Sequence, residues 1–137
     1  TQRSTLFPYT TLFRSHNAAF DRGFWVAEAA MAGCDTDPAH EFACTLLLSR
    51  RLYPQADNHR LGTLARLHAL PDNGRAHRAL ADALTTAQLL LRMQQDVAGM
   101  LARAQAAASV SHALLCELQR VQRRQVDGWA QRRAARA

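Results

Sequence analysis

The sequence predicts an α/β fold in which helices dominate and only a small part of the chain forms sheet. Apolar residues recur at helical spacing along most of the chain, which is typical of amphipathic helices. Residues 41–48 are instead short and apolar enough for a buried strand that runs directly into a helix. The chain has 137 residues with 48% hydrophobic content, which is enough to bury a core.

The first helix is predicted to start after Asn17, which can cap it. Asp21 then falls in the first turn, where a carboxylate suits the helix dipole. The apolar positions recur at helical spacing: Phe20, Phe24, Ala27 and Met31. Gly33 is expected to end this helix.

Three shorter features follow. Residues 41–53 are predicted to pass from strand to helix, and Pro54 ends that helix because the residue before a proline avoids helical geometry. A second short helix is marked by four leucines: Leu61, Leu64, Leu67 and Leu70. Residues 72–74 (Asp-Asn-Gly) predict a turn.

Two longer helical segments are predicted beyond this turn. The first runs from Arg78 to about residue 108, with Gly99 as a candidate break. Its apolar stripe consists of Leu80, Leu84, Ala87, Leu91 and Val97. The second covers residues 111–137, and its apolar side consists of Leu114, Leu115, Leu118, Val121 and Trp129.

Residues 1–15 differ in composition from the rest of the chain. Residues 5–15 (TLFPYTTLFRS) resemble the in-frame translation of a sequencing-library adapter, which predicts a non-native or disordered leader. The alternative is a genuine β-hairpin-like segment, because residues 9–13 have β-propensity. The chain starts with threonine, so we expect a fragment or a processed product.

The formal net charge is +6, and all 17 basic residues are arginine. The absence of lysine excludes a Walker-type phosphate loop and a Schiff-base lysine. The positive charge is concentrated in residues 99–137, whereas residues 16–98 are close to neutral. Such a basic tail is most often a solvated helix face, and attraction to phosphate is the alternative.

Cys34, Cys44 and Cys116 are widely spaced and lack the spacing of zinc ligands. They predict reduced, mostly buried thiols in a cytosolic protein. No apolar run approaches the length that spans a membrane, so no membrane partner is expected.

Two short motifs contain side chains that can bind metal or act as acids and bases: residues 16–21 (HNAAFD) and residues 77–82 (HRALAD). Carboxylates such as Asp21 and Asp82 suit Mg²⁺, which prefers oxygen ligands. A histidine such as His77 can act as a general base near neutral pH. Taken singly, each has a structural explanation: a helix start for Asp21, an ion pair with Arg78 for Asp82, and simple exposure for His77.

Together, the two motifs resemble the second and third sequence blocks of the DEDD-type 3′–5′ exonucleases that have a catalytic histidine. The resemblance is closest to the epsilon-subunit group of DNA polymerase III. Residues 44–54 (CTLLLSRRLYP) and residues 58–64 (NHRLGTL) also resemble intervening segments of that family, in the same order. The resemblance covers about residues 16–95 and implies the C-terminal part of a ribonuclease-H-like fold.

By the same resemblance, Asp21 and Asp82 are implied metal ligands for Mg²⁺ or Mn²⁺, and His77 is the implied base. His16, Asn17 and Phe20 are implied to line the pocket for the 3′-terminal nucleotide, although Phe20 equally suits a core position. The implied partner is a nucleic-acid 3′ end, DNA in preference to RNA, with a DNA polymerase subunit as a further candidate. The implied location is the bacterial cytoplasm.

The family also has a first block, Asp-x-Glu, which does not occur upstream of Asp21. We therefore expect an N-terminally truncated chain, mostly helical with an incomplete central sheet, catalytically inactive and marginally stable. The expected organisation is a leader at 1–15, a partial exonuclease domain at 16–98 and a basic helical extension at 99–137.

One alternative is a non-enzymatic helical module that binds nucleic acid or a polymerase-like partner through its basic C-terminal helix. In that case duplex binding depends strongly on salt. A related alternative is a helix-in-groove contact through Leu114, Leu118 and Val121, against the simpler expectation that these residues pack on the chain's own core.

Overall fold

The computed structural model describes residues 12–37, 40–75, 78–106 and 109–136. Most of this part of the chain is helical, with one small sheet, as the sequence predicts. The strands are β1 (Phe13–Ser15) and β2 (Phe42–Cys44). The helices are α1 (Ala18–Met31), α2 (Thr45–Leu52), α3 (Leu61–Leu67), α4 (Ala79–Arg103), α5 (His112–Leu118) and α6 (Val126–Ala134), with a 3₁₀ turn at Arg123–Gln125.

The sheet is a parallel pair in which Phe13 lies opposite Phe42 and Ser15 lies opposite Cys44. The Phe13 and Phe42 rings stack with centroids 4.4 Å apart. Because the strands are parallel, their carboxyl ends meet at one edge, and α1 and α2 both start there. Residues 1–11 of the predicted leader lie outside the described residues, whereas residues 13–15 form β1.

A side chain closes the other edge of β2. The Gln119 Nε2 group donates a hydrogen bond of 3.0 Å to the Phe42 carbonyl. The Cys44 N–H donates one of 2.8 Å to the Gln119 Oε1 atom. Gln119 is buried, so these bonds satisfy polar groups that water does not reach. They tie the turn after α5 to the sheet.

The core forms around α4, whose Leu89, Met93 and Val97 side chains are fully buried. Other helices supply further large buried side chains: Leu48 of α2, Leu64 of α3, Leu115 and Leu118 of α5, and Trp129 of α6. All belong to one continuous apolar cluster. The domain boundary expected at residue 98 falls inside α4, and residues on both sides of it contribute to this cluster.

The apolar stripe predicted for α4 is largely wrong. Leu80, Leu84 and Leu91 are 73%, 45% and 60% exposed, and only Val97 of the predicted stripe is buried. The buried face contains Leu89 instead, which is nine residues, or about two and a half turns, from Leu80. The helix carries leucines on several sides, and contact with α2 and α3 decides which side faces inward.

The stripe predicted for α1 is also wrong, because the helix buries only its small residues, Ala18 and Ala29. The predicted apolar positions point outward: Phe20, Phe24 and Met31 are all exposed. The interpretation of Phe20 as a core residue therefore fails. The end of the helix is as predicted, since Gly33 follows it with φ +67°, a conformation that favours glycine.

Three further expectations are resolved by the structure. Gly99 does not break α4, which continues to Arg103. The predicted C-terminal helix is divided into α5, the 3₁₀ turn and α6, and Leu114 and Leu118 pack in the chain's own core. Cys44 and Cys116 are buried free thiols, and Cys34 is partly buried, as predicted.

Candidate active site

A cleft of about 1640 Å³ opens between β1, α1, α3 and α4. Ser15, His16 and Asp21 reach it from the junction of β1 and α1, and Asp82 reaches it from the first turn of α4. The fold therefore places both predicted carboxylates on the wall of one cavity, although they are far apart in sequence. This arrangement makes the cleft the candidate active site.

Asp21 lies in the first turn of α1 and is exposed to the cleft. Its carboxylate accepts a hydrogen bond from the Ser15 hydroxyl at the end of β1. Since Ser15 is fixed by the pairing of β1 with β2, the sheet determines where the Asp21 carboxylate is held. The sequence offered no signal for this role of Ser15.

Asp82 is partly buried in the first turn of α4. Its backbone N–H donates to the Arg78 carbonyl at 3.0 Å, which starts the helix. No ion pair joins the Asp82 and Arg78 side chains within the described residues, so the expected structural pairing is not formed. The Asp82 carboxylate therefore lines the cleft without an ion pair to Arg78. His77, the implied base, lies outside the described residues.

His16 is held by a buried threonine at the start of α2. Its Nδ1 atom lies 3.0 Å from the Thr45 Oγ1 atom. The same Thr45 oxygen lies 3.3 Å from the Ser15 carbonyl, so its one proton can go to that carbonyl or to the ring. Burial lowers the pKa of His16, which favours the neutral imidazole, whereas a hydrogen bond to the backbone of His59 acts in the opposite direction.

A second histidine, His59, lies close to this group and was not singled out in the sequence as a site residue. Its Nδ1 atom lies 3.1 Å from the hydroxyl of Ser49, which is fully buried in α2. Burial lowers the pKa of His59, and the positive charge of Arg50 lowers it further. His59 belongs to residues 58–64, which resemble a family segment, but only the fold reveals its contact with Ser49.

The three residues implied to bind the terminal nucleotide do not come together. His16 lines the cleft, whereas Asn17 lines a separate cavity on the other side of the β1–α1 junction. Phe20 is 63% exposed and makes an edge-on contact with Phe24, with ring centroids 4.9 Å apart. The grouping expected from the resemblance is therefore only partly reproduced.

Aromatic rings and arginines also line the cleft. The Trp25 ring lies 4.7 Å from Phe13 and 5.9 Å from Phe42, measured between centroids. Cationic side chains in the lining are Arg14, Arg60 and Arg66. Rings that can stack on bases, together with guanidinium groups that attract phosphates, suit a nucleotide-like ligand.

The donor set falls short of a complete divalent-metal site. Asp21 and Asp82 provide the hard oxygen ligands that Mg²⁺ and Mn²⁺ prefer. Within the described residues, however, no three His, Cys, Asp or Glu side chains are close enough together to hold a metal ion. Two aspartates alone provide too few ligands for a site that holds two cations.

Comparison with known proteins identifies the family. A model of the RNase_T family, described as exonuclease, matches residues 1–90. This chain belongs to that exonuclease family. The resemblance to DEDD exonucleases inferred from the motifs is thereby confirmed. The exonuclease family implies a ribonuclease-H-like fold, nuclease activity and the general use of divalent metals.

Three similar proteins are each named DNA polymerase III PolC-type. The Bacillus subtilis protein is 40% identical over 85 residues, 61% of this chain and 6% of that protein. The Bacillus cereus protein is 36% identical over 85 residues, with the same coverage of each chain. The Halalkalibacterium halodurans protein is 39% identical over 82 residues, 60% of this chain and 6% of that protein. The exonuclease chain thus spans about 6% of the length of these relatives.

No solved structure matches the exonuclease chain. The family match begins at residue 1 and includes residues 5–15, so their adapter origin stays a prediction, as does the truncation. Across the described parts of the chain, none of the helices combines the length and apolar character needed to cross a membrane.

Proposed function

We propose that this chain is a piece of a metal-dependent exonuclease that releases nucleoside monophosphates from the 3′ end of DNA, and that it is inactive as it stands. The proposal rests on one observation, which is that a single cleft is lined by both motif carboxylates. Its wall holds Asp21 from α1 and Asp82 from α4, the two carboxylates of the family motifs. Aromatic rings and arginines in the same lining suit a nucleic-acid end.

In this proposal Asp21 and Asp82 are metal ligands and His77 is the general base. Ser15 orients Asp21 through its hydroxyl. His16, held beside Thr45, lines the cleft and is placed to contact substrate. Asn17 and Phe20 would contact the nucleotide only if it extended beyond the cleft, because neither lines it.

The proposed inactivity follows from the number of carboxylates. No aspartate or glutamate precedes Asp21 in the sequence, so the first block of the family pattern contributes none. Mg²⁺ gives up its water shell reluctantly, and two aspartates on separate helices provide few of the six ligands that it needs. Two-metal catalysis requires ions about 3.5–4 Å apart, held by more ligands than these.

A nuclease assay tests this proposal directly. A single-stranded oligonucleotide labelled at its 3′ end is incubated with the whole chain and Mn²⁺, and released mononucleotides are separated by chromatography. We expect no release above the no-protein blank. Release that disappears in the Asp82→Ala variant would overturn the proposed inactivity.

Metal binding provides a readout that does not depend on activity. Mn²⁺ is titrated into the chain and followed by water-proton relaxation. We expect weak binding that is lost in Asp21→Asn and in Asp82→Asn but retained in Asp127→Asn, an exposed aspartate in α6. Equal binding by all three variants would remove the basis for the assigned metal ligands.

The preference for DNA, and a polymerase as partner, are supported by the names of the relatives, each a DNA polymerase III. The same relatives are bacterial, which supports a location in the bacterial cytoplasm. Competition of unlabelled DNA and RNA strands of one sequence for a labelled DNA strand measures the preference. We expect DNA to compete more strongly.

A second candidate function is non-enzymatic binding of nucleic acid through the basic C-terminal region. Arg123 and Arg132 are exposed there and form no ion pair within the described residues. Deletion of residues 111–137 would not test this function, because α5 and α6 belong to the core. The pair Arg123→Gln and Arg132→Gln tests it instead: this function predicts weaker, less salt-dependent duplex binding with an unchanged fold.

A further inference from the structure

We propose that a second cavity, at the start of α1 and α2, binds a phosphate group. The cavity measures about 720 Å³ and is separate from the candidate active site, although Phe42 borders both. Asn17 of the first motif lines this cavity, but the catalytic proposal gives the cavity no role. The inference does not depend on the chain having, or having lost, nuclease activity.

Three arginines from three different parts of the fold line this cavity. Arg22 comes from α1, Arg50 comes from α2, and Arg120 comes from the turn that follows α5. Because these residues are distant in sequence, only the folded chain brings their charges together. Three guanidinium groups around one cavity match the several oxygens of a phosphate better than a single carboxylate.

Among the residues that the structure describes, no protein anion pairs with two of these arginines. Arg22 and Arg50 are exposed and form no ion pair or hydrogen bond within the described residues. Arg120 pairs with Glu41, which is the single acidic residue in the lining. The described wall of the cavity therefore carries a net positive charge, so an anion is attracted and a metal cation is repelled.

The start of both helices adds to this positive potential. Asn17, the first two residues of α1 and residues 46–47 of α2 lie on the wall of the cavity. The side chains of Asn17 and Cys44 do not cap their own helices, although the Ala18 N–H donates to the Cys44 Sγ atom at 3.4 Å. The helices have 14 and 8 residues, so each presents first-turn N–H groups and the positive end of its dipole. Such N–H groups are suitable donors to phosphate oxygens.

His40 also lines this cavity. Its Nδ1 atom is buried without a hydrogen-bond partner within the described residues. Because that atom has almost no accessible surface, the arginines, and not His40, provide the contacts for a ligand. The phosphate belongs either to a free phosphate-bearing small molecule or to a nucleic-acid strand, and the chemistry of the site is the same for both.

The test uses the whole chain and two probes. Inorganic phosphate is titrated by calorimetry, and a fluorescein-labelled single-stranded oligonucleotide is titrated by anisotropy at several salt concentrations. The variant carries Arg22→Gln with Arg50→Gln. The control carries Arg75→Gln with Arg103→Gln, which removes the same charge from exposed positions outside the cavity. Circular dichroism checks that both variants fold, as expected for exposed residues.

We expect the wild-type chain and the control to bind inorganic phosphate saturably, and the Arg22/Arg50 variant to bind it about tenfold or more weakly. If the ligand is a strand, oligonucleotide binding also weakens, and its log–log salt slope becomes shallower by about 1.4 units. If only phosphate binding weakens, the ligand is a free phosphate-bearing molecule. Absence of saturable phosphate binding, or an equal loss in the control, would overturn the proposal.

The Asp82→Ala variant separates this inference from the catalytic proposal. Asp82 lines the cleft and not the second cavity, so phosphate binding is expected to be unchanged in that variant. A failed metal or nuclease test would therefore leave the phosphate site intact, and a failed phosphate test would leave the carboxylate assignments intact.

Discussion

Thr45 is fully buried, and its hydroxyl serves two partners at once. It lies within hydrogen-bond distance of the Ser15 carbonyl and of the His16 ring, so one oxygen atom joins the end of β1 to the start of α2. Both partners belong to the segment that carries the candidate site. The position of His16 in the cleft therefore depends on a side chain that makes no contribution of its own to the chemistry.

Replacing this hydroxyl should cost stability. Thr45→Val keeps the shape of the side chain but leaves both partners without their hydrogen bond, so we expect a loss of about 1–3 kcal/mol in the free energy of unfolding. Urea denaturation measures it. Thr63→Val, at a partly buried position whose hydroxyl accepts one long bond of 3.4 Å from Arg66, is the control and should cost much less.

Three histidines make stability depend on pH. Burial lowers the pKa of His16, His59 and His68 below their ordinary value of 6.5. The unfolded chain therefore takes up protons below about pH 6.5 before the folded chain does, so stability falls as the pH falls through this range. The urea midpoint measured from pH 7.5 to pH 5 should decrease. His68→Gln should make the decrease smaller, and an unchanged slope would contradict this assignment.

At the scale of elements, the short β2 strand is held from both sides. β1 pairs with it along one edge, and the amide of Gln119 bonds to it along the other. A three-residue strand has few ladder hydrogen bonds of its own, so these two side-chain bonds are a large share of its support. The turn after α5 thereby fixes the sheet on which the cleft is built.

Removing this amide tests its contribution. Gln119→Ala leaves the Phe42 carbonyl and the Cys44 N–H unpaired in a buried place, and we expect a loss of about 1–3 kcal/mol. Amide exchange at Cys44 should also become faster. Gln122→Ala, at an exposed position three residues later, is the matched control and should change neither quantity. Equal effects of the two variants would contradict the proposed support.

Several element boundaries could be predicted from the sequence, but the division between α5 and α6 and the buried faces of the helices could not. Gly33, Pro54 and residues 72–74 mark ends and turns through local backbone chemistry, and the structure places breaks at each of them. In α4, leucines occur on several sides, so its own sequence does not indicate whether Leu80 or Leu89 faces the core. That choice is made by neighbouring helices.

The residues of the candidate site also divide into those that the sequence predicts and those that only the fold reveals. Asp21 and Asp82 could be found because each belongs to a motif of adjacent residues, and both line the cleft. Ser15, Thr45 and His59 could not, since their roles depend on contacts between segments. Asn17 shows the limit of a motif: it adjoins His16 in sequence but lines another cavity.

At the scale of the whole molecule, the described chain has one core. Residues from both sides of the boundary expected at 98 contribute to it, including Leu64 of α3 and Trp129 of α6. Exposed apolar side chains remain on α1 and α4, among them Phe20 and Leu80. A shared core predicts cooperative unfolding, in which no helix outlasts the others.

The two tryptophans report on this cooperativity. Trp25 lines the cleft, and Trp129 is buried in the core near the C-terminus. Trp25→Phe and Trp129→Phe variants each leave a single fluorophore. In each variant, we expect the unfolding curves in urea from fluorescence and from circular dichroism to coincide. A later transition at Trp129 in the Trp25→Phe variant would show that residues 99–137 form a separate unit.

A mutation in the core provides the second test at this scale. Leu115 in α5 is fully buried, so Leu115→Ala should cost about 2–5 kcal/mol. Because the core is shared, the environment of Trp25 in the cleft should be lost in the same transition. Leu91→Ala, at an exposed position of α4, is the control and should change stability little.

The Gln119 amide has a consequence for assembly. It bonds to the edge of β2 in the place that a neighbouring strand would take. The Phe42 carbonyl and the Cys44 N–H are therefore not available to another chain. Any further strand, whether from this polypeptide or from a neighbour, must therefore join along β1. The sheet can grow in one direction only, and that direction leads into the side of the molecule that carries the cleft.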